Sequence, residues 1–165
     1  MAHVADTVVV SHPARQHSHQ TALGLFDAGM LHSYWTGIPC LPEHGRALPA
    51  WLRRRLIQQS TIPLPPQKVT WNPVAPALRR AMTAMLGQRG SRWSLYAGYW
   101  LFDRWAAAKL RRAGARAVIC YENTALHSFI EAERGGVLKI LDAAAMHHAT
   151  QDRLSETQEA AALHR

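Results

Sequence analysis

Two short runs of apolar residues stand out along the chain, and each is followed by a polar turn and a helical pattern. The first run ends at Val10 in TVVVSHPARQHSHQ, and apolar residues at helical spacing follow from Gln16 until Gly29. The second run is Ala117–Tyr121, followed by a turn at 122–124. Such runs are typical of strands that a parallel sheet buries on both faces. The pattern therefore predicts two strand–turn–helix units.

The rest of the chain fits the same alternation of strands and helices. The inner face of the helix after the second run is predicted to hold Leu126, Phe129 and Ile130, and a polar helical stretch is predicted at the C-terminus. Together the elements predict one α/β domain over residues 1–165, a Rossmann-like doubly wound parallel sheet with helices on both faces. Further strands are predicted at Leu31–Ile38, Lys68–Trp71 and Val137–Leu141. Further helices are predicted at Ala50–Gln59, Ala75–Leu86 and Ser91–Arg112. The helix after the second run is predicted to begin at an N-cap, Asn123 or Thr124, and to stop at Gly135.

Composition excludes several classes of protein. Hydrophobic residues make up 48% and charged residues 18% of 165 residues, which is neither a disordered nor a membrane composition. No apolar run approaches the roughly 18 residues of a spanning helix, and the N-terminus lacks a signal-peptide layout, so we expect a cytoplasmic protein. Cys40 and Cys120 lie far apart, and Cys120 falls within a strand-like run, which favours a buried free thiol over a disulfide.

The chain is strongly basic, with a formal net charge of +8 and a pI near 10.3. Most of the arginine clusters fall at helix ends or on solvated helix faces, so a basic surface is favoured and a nucleic-acid groove is the least favoured interpretation. The helix with Trp93, Trp100 and Trp105 is expected to pack in the core or against another domain. Peripheral contact with a membrane surface and formation of a homo-oligomer both stay open.

Candidate chemistry falls in three turns that follow predicted strands. They span residues 11–19, 122–124 and 142–148 and contain His12, Arg15, Glu122 and several further histidines. Because the carboxyl ends of parallel strands share one edge of the sheet, the polar residues of these turns are expected to converge there.

Several familiar kinds of site are disfavoured. The pairs His17 with His19 and His147 with His148 match no zinc signature, so polar substrate contacts are favoured over a metal, and we expect no metal or cofactor. No GxSxG elbow supplies a nucleophile. The phosphate-cradling patterns GxGxxG and GxxxxGK followed by Ser or Thr do not occur either.

At these turns the chain resembles the N-terminal, acceptor-side domain of a family-4 glycosyltransferase, of the retaining GT-B class. The resemblance rests on VVVSHPARQHSHQTALGLFDAG with the following YWTGIP, on AVICYENTALHSF, and on VLKILDAAAMHHATQDRL. It covers nearly the whole chain. It implies two Rossmann-like domains around a cleft, of which the N-terminal domain mainly binds the acceptor.

The resemblance also implies roles for particular residues. His147 or His148 falls where such enzymes place a histidine near the transferred sugar. The first loop departs from the family pattern, because it has Pro13, Ala14 and Arg15 where many relatives have glycines. The implied substrate-binding residues are Pro13, Ala14, Arg15, Gln16, His17, His19, Glu122 and Asn123.

The resemblance implies a second, nucleotide-sugar domain that this sequence does not contain. The expected function is therefore that of the acceptor-side domain of a hexosyltransferase-type enzyme, which transfers a sugar from a nucleotide-sugar donor to a glycan or other acceptor. We expect the chain to be a fragment or a truncated product that is inactive alone. The alternative is a non-enzymatic Rossmann-like binding or interaction module.

Overall fold

The computed structural model describes residues 7–14, 17–37 and 62–143, and of residues 79 and 88–92 it describes the backbone only. Five strands and three helices alternate over these ranges, with a short 3-10 helix at Pro66–Lys68. The strands are β1 (Val8–His12), β2 (Leu31–Thr36), β3 (Val69–Trp71), β4 (Ala117–Tyr121) and β5 (Leu138–Asp142), and the helices are α1 (Ser18–Asp27), α2 (Val74–Ala113) and α3 (Leu126–Arg134).

The strands form one sheet in the order β3-β2-β1-β4-β5, and every pairing is parallel. The connection through α1 takes the chain from β1 to one side, and the connection through α2 brings it back across to β4 on the other side. The direction of winding therefore reverses between β1 and β4. This arrangement confirms the predicted Rossmann-like α/β fold.

Hydrophobic residues pack on both faces of the sheet, which is why the central strands are apolar throughout. On one face Val8, Val10 and Tyr34 pack with Ala22 of α1. On the other face the core is built by side chains of β1, β2, β4 and the helices α2 and α3, namely Val9, Trp35, Phe102, Ala106, Leu110, Val118, Cys120 and Ala132. Helices thus cover both faces of the sheet, as the alternation predicts.

Helix α2 is a hairpin of two helical segments rather than one rod. Gly87 has non-helical dihedral angles (φ 61°, ψ −148°), which only a glycine adopts readily, and it lies where the sequence predicts a break. A Cβ added at Gly98 would lie 3.2 Å from the carbonyl oxygen of Ala75. Because these two residues belong to different segments, the segments fold back on each other, and the chain reverses at Gly87.

Two details predicted for α3 are wrong. Leu126 and Ile130 are 66% and 43% exposed, while Ser128 and Ala132 face the core instead. The N-cap is Ala125, without a side-chain cap, rather than Asn123 or Thr124. The carboxylate of Asp103 from α2 caps this helix instead.

Some predictions fall outside the described residues. These are the helix at Ala50–Gln59, the C-terminal helical stretch and the state of Cys40. Within the described ranges, no helix combines the length and the apolar character that crossing a membrane requires.

Candidate functional site

The carboxyl edge of the sheet is the first place to look for a site, because ligands of open α/β sheets bind there, where the winding direction reverses. The strands that meet at this reversal are β1, which ends at His12, and β4, which ends at Tyr121. Both side chains are 1% exposed, and their ring centroids are 5.1 Å apart in an edge-to-face arrangement.

His12 holds the turn after β1 in place. With its proton on Nδ1, the imidazole donates a hydrogen bond to the carbonyl oxygen of Ala14 at 2.6 Å. Burial lowers the pKa of His12 below its usual 6.5, the bond to Ala14 acts in the opposite direction, and the nearby His19 adds to the lowering. His12 is therefore neutral at pH 7. The ring of Tyr99 in α2 lies 6.3 Å away, so this histidine also joins the sheet to the helical hairpin.

Tyr121 ties β4 to the start of α1. Its hydroxyl donates a hydrogen bond to Oγ1 of Thr21 at 2.9 Å, and the Thr21 hydroxyl donates to the carbonyl oxygen of His17 at 3.3 Å. Burial raises the pKa of Tyr121 to about 12; the bond to Thr21 opposes this, while Asp142 contributes to it. The phenol therefore stays protonated and acts as a structural donor rather than as a base.

A glycine allows the end of β2 to approach the same turn. A Cβ placed on Gly37 would lie 2.2 Å from the carbonyl oxygen of Pro13, well inside van der Waals contact. No other residue fits there without displacing Pro13. Gly37 consequently sets the position of the Pro13–Ala14 turn relative to the sheet.

A buried carboxylate of α2 holds the turn after β4 in place. Asp103 of α2 is 2% exposed and accepts hydrogen bonds from the backbone N–H groups of His127 and Ser128, at 2.6 and 3.0 Å. It also accepts one from the Ser128 hydroxyl at 2.6 Å. A negative charge at a helix N-terminus is favourable. Asp103 therefore caps α3 and sets the position of the adjoining turn at residues 122–124.

A cleft of about 770 Å³ opens beside the turn after β1. One wall is the Pro13–Ala14 turn, and the others are the facing sides of the two segments of α2. Hydroxyl groups and a guanidinium make an otherwise apolar lining partly polar. Among the described residues that line the cleft these are Arg80, Thr83, Ser94 and Tyr99.

A second cleft, of about 640 Å³, lies towards the amino ends of β2 and β3. It includes His32 and Lys68 from the sheet side and Lys109 and Arg112 from the end of α2. It lies away from the point where the winding reverses. The cleft beside Pro13 is therefore the candidate site.

The predicted site residues lie in several different parts of the structure. Pro13 and Ala14 line the candidate cleft. Glu122 and Asn123 lie in the neighbouring turn after β4, where Asn123 has a left-handed backbone (φ 66°). His17 is exposed just before α1, whereas His19 is buried within that helix. The remaining candidates, Arg15, Gln16, His147 and His148, lie outside the described residues.

Several residues that the structure brings to the cleft are not predicted from the sequence. Arg80, Ser94 and Tyr99 come from α2, which the topology carries back across the sheet edge. The helical spacing predicts that Tyr99 shares one face of the helix with Phe102 and Ala106, but it does not predict which strand end Tyr99 meets. Asp103 carries no local signal, because its partners are 24 and 25 residues away.

Two features of the described residues bear on reactive groups and metal ligands. Burial raises the pKa of the Cys120 thiol to about 12, with a smaller contribution from the Asp103 charge, so this thiol is no nucleophile. It is a buried free thiol, as the sequence predicts. Within the described ranges, no group of three or more His, Cys, Asp or Glu side chains could hold a metal ion.

Comparison of this chain with protein-family models, with curated proteins and with solved structures finds no match.

Proposed function

We propose that this chain is the acceptor-side domain of a glycosyltransferase, which binds the acceptor in the cleft between the Pro13–Ala14 turn and the hairpin of α2. A Rossmann-like fold serves many functions, so the proposal rests on the cleft rather than on the fold. The supporting observation is that the cleft opens beside the strand end where the winding of the sheet reverses.

The lining of the cleft suits a ligand rich in hydroxyl groups. The guanidinium of Arg80 is a donor, and the hydroxyls of Thr83, Ser94 and Tyr99 both donate and accept hydrogen bonds. Small side chains such as Ala75 leave room for a saccharide ring, and the Tyr99 ring gives an apolar surface. In this proposal a further domain holds the nucleotide-sugar donor, and no metal or cofactor is required of this chain.

Calorimetric titration of the 165-residue chain with panels of oligosaccharide acceptors and nucleotide sugars tests the proposal. At least one acceptor is expected to bind at a single site, and Arg80→Gln is expected to weaken that binding about tenfold, because a charged donor is lost. Arg134→Gln on α3, remote from the cleft lining, is the matched control and is expected to bind as the wild type does. Failure of every acceptor, or equal binding by Arg80→Gln, would contradict the proposal.

A further inference from the structure

The outward side of the second α2 segment carries large aromatic residues that stay about half or more exposed, although the Trp100 ring makes an edge-to-face contact with His127 of α3. Trp93, Tyr96 and Trp100 are 77%, 57% and 48% exposed. Their spacing of three and four residues places them in one stripe, opposite the buried Phe102 and Ala106. We call this stripe, together with Arg104, the aromatic face.

Exposed apolar side chains also flank the reversal of the hairpin. Met85 and Leu86, directly before Gly87, are 79% and 58% exposed. Soluble proteins rarely leave several large apolar side chains so close together in water unless they serve an interaction. The hairpin end and the aromatic face are therefore two exposed apolar parts of the same hairpin.

Helix α2, which carries these apolar residues, is strongly basic in sequence, although Arg111 pairs with Glu131 and Arg80 lines the candidate cleft. The 40 residues of α2 include a single acidic residue, Asp103, which is buried and caps α3. The Arg104 guanidinium lies 4.8 Å from the centre of the Trp100 ring, so a cation is held directly on the aromatic face. The basic residues of the helix number eight, namely Arg79, Arg80, Arg89, Arg92, Arg104, Lys109, Arg111 and Arg112.

We propose that the aromatic face and the hairpin end dock on the surface of an anionic lipid bilayer. Tryptophan and tyrosine favour the level of the lipid headgroups, and arginine favours their phosphates. Met85 and Leu86 would leave water by entering the acyl region of the bilayer. A nucleic acid would contact the aromatic and basic side chains, but it would leave Met85 and Leu86 exposed to water. A second copy would bring two positively charged hairpins together, which charge repulsion opposes.

The aromatic face lies on a different side of the second α2 segment from the candidate cleft. Ser94 and Tyr99, which line the cleft, alternate along the helix with the exposed residues of the aromatic face. The inference does not depend on the proposed function, because it rests on the exposed residues and not on the cleft. Binding of a soluble acceptor and binding to vesicles can therefore fail separately.

Co-sedimentation with vesicles tests this inference. The 165-residue chain is expected to sediment with phosphatidylglycerol vesicles at low salt and to stay in solution with phosphatidylcholine vesicles. The double variant Trp93→Ser/Trp100→Ser is expected to partition at least about tenfold more weakly. Arg104→Gln is expected to partition about fivefold more weakly, through the loss of one basic residue at the surface.

Matched variants away from α2 serve as controls. Leu138→Ser/Leu141→Ser on β5 removes two exposed apolar side chains, and Arg134→Gln on α3 removes an exposed charge. Both variants are expected to bind vesicles as the wild type does. Three results would overturn the inference: no sedimentation with anionic vesicles, equal loss in the controls, or burial of the aromatic face in a dimer in solution. Binding of a single-stranded oligonucleotide, but not of vesicles, would overturn it too.

Discussion

Single residues at the carboxyl edge of the sheet determine the shape of the candidate cleft. His12 closes the turn after β1 through Ala14, and Gly37 allows the end of β2 to meet Pro13. Neither residue is chemically unusual. His12 matters because it is buried, and Gly37 matters because a side chain at its position would overlap Pro13.

The close approach at Gly37 predicts a large effect of a small substitution. Gly37→Ala is expected to destabilise the protein by about 2 kcal/mol, because the added methyl group overlaps the Pro13 carbonyl and displaces the turn. Gly24→Ala in α1 is the matched control. Nothing lies within 4 Å of its added Cβ, and alanine favours the helix, so this variant is expected to gain up to about 1 kcal/mol. Denaturant unfolding measures both, and a neutral Gly37→Ala would contradict the account.

Burial of His12 predicts a pH dependence of stability. The pKa of His12 is lowered in the folded chain, so the unfolded chain binds a proton more readily. The contribution of His12 to the free energy of unfolding is therefore expected to fall as the pH drops below about 6.5, and to level off below the folded-state pKa. Above that range His12 is neutral in both states and contributes no slope.

The comparison for this prediction is His12→Gln. Its free energy of unfolding is expected to change less between pH 7 and pH 5 than that of the wild type, while the two slopes agree above pH 7.5. Unfolding curves at a series of pH values measure the slopes. Identical slopes for both proteins throughout the acidic range would show that His12 titrates alike in the folded and unfolded chain.

At the scale of elements, the position of α3 depends on a side chain from another helix. Asp103 satisfies two N–H groups and one hydroxyl at the start of α3, and α3 has no side-chain cap of its own. The turn at residues 122–124 lies between β4 and this anchored end. The helical hairpin α2 thus supports two parts of the carboxyl edge, the cleft and the neighbouring turn.

Removal of this cap is expected to be costly. Asp103→Ala leaves three donors at a buried helix end without their acceptor, for an expected loss of about 3 kcal/mol. Ser128→Ala removes one of these donors and keeps the carboxylate bonded to backbone, so its loss is expected to be about 1 kcal/mol. Hydrogen exchange at the His127 and Ser128 amides is expected to accelerate more in Asp103→Ala. Equal exchange in the two variants would contradict the capping role.

The elements differ in how much of them the sequence predicts. The apolar runs around Val9 and in Ala117–Tyr121 are visible because β1 and β4 are buried on both faces. Of the predicted inward face of α3, Phe129 packs against the core, but Leu126 and Ile130 are exposed. Ser128 is buried instead, because it contacts Asp103, which is distant in sequence. Gly87 and Gly90 predict the break in α2, but they do not predict the direction in which the chain reverses there.

At the scale of the whole molecule, the strand order brings distant parts of the chain to one edge. Pro13 follows β1, and Tyr99 reaches the same cleft from the hairpin that precedes β4. The sequence predicts convergence at this edge because parallel strands share their direction. It does not predict which helix covers the edge, so Arg80 and Ser94 were not among the expected site residues.

The central claim is that the cleft beside Pro13 is the ligand site of this fold. Amide chemical-shift mapping of the isotope-labelled chain, titrated with the same panel of acceptors, tests it most directly. The account predicts that the shifts concentrate at Ala14, Thr83, Ser94 and Tyr99, which line this cleft. Shifts concentrated instead at Ser33, Thr70 and Lys109, which line the second cleft, would contradict it.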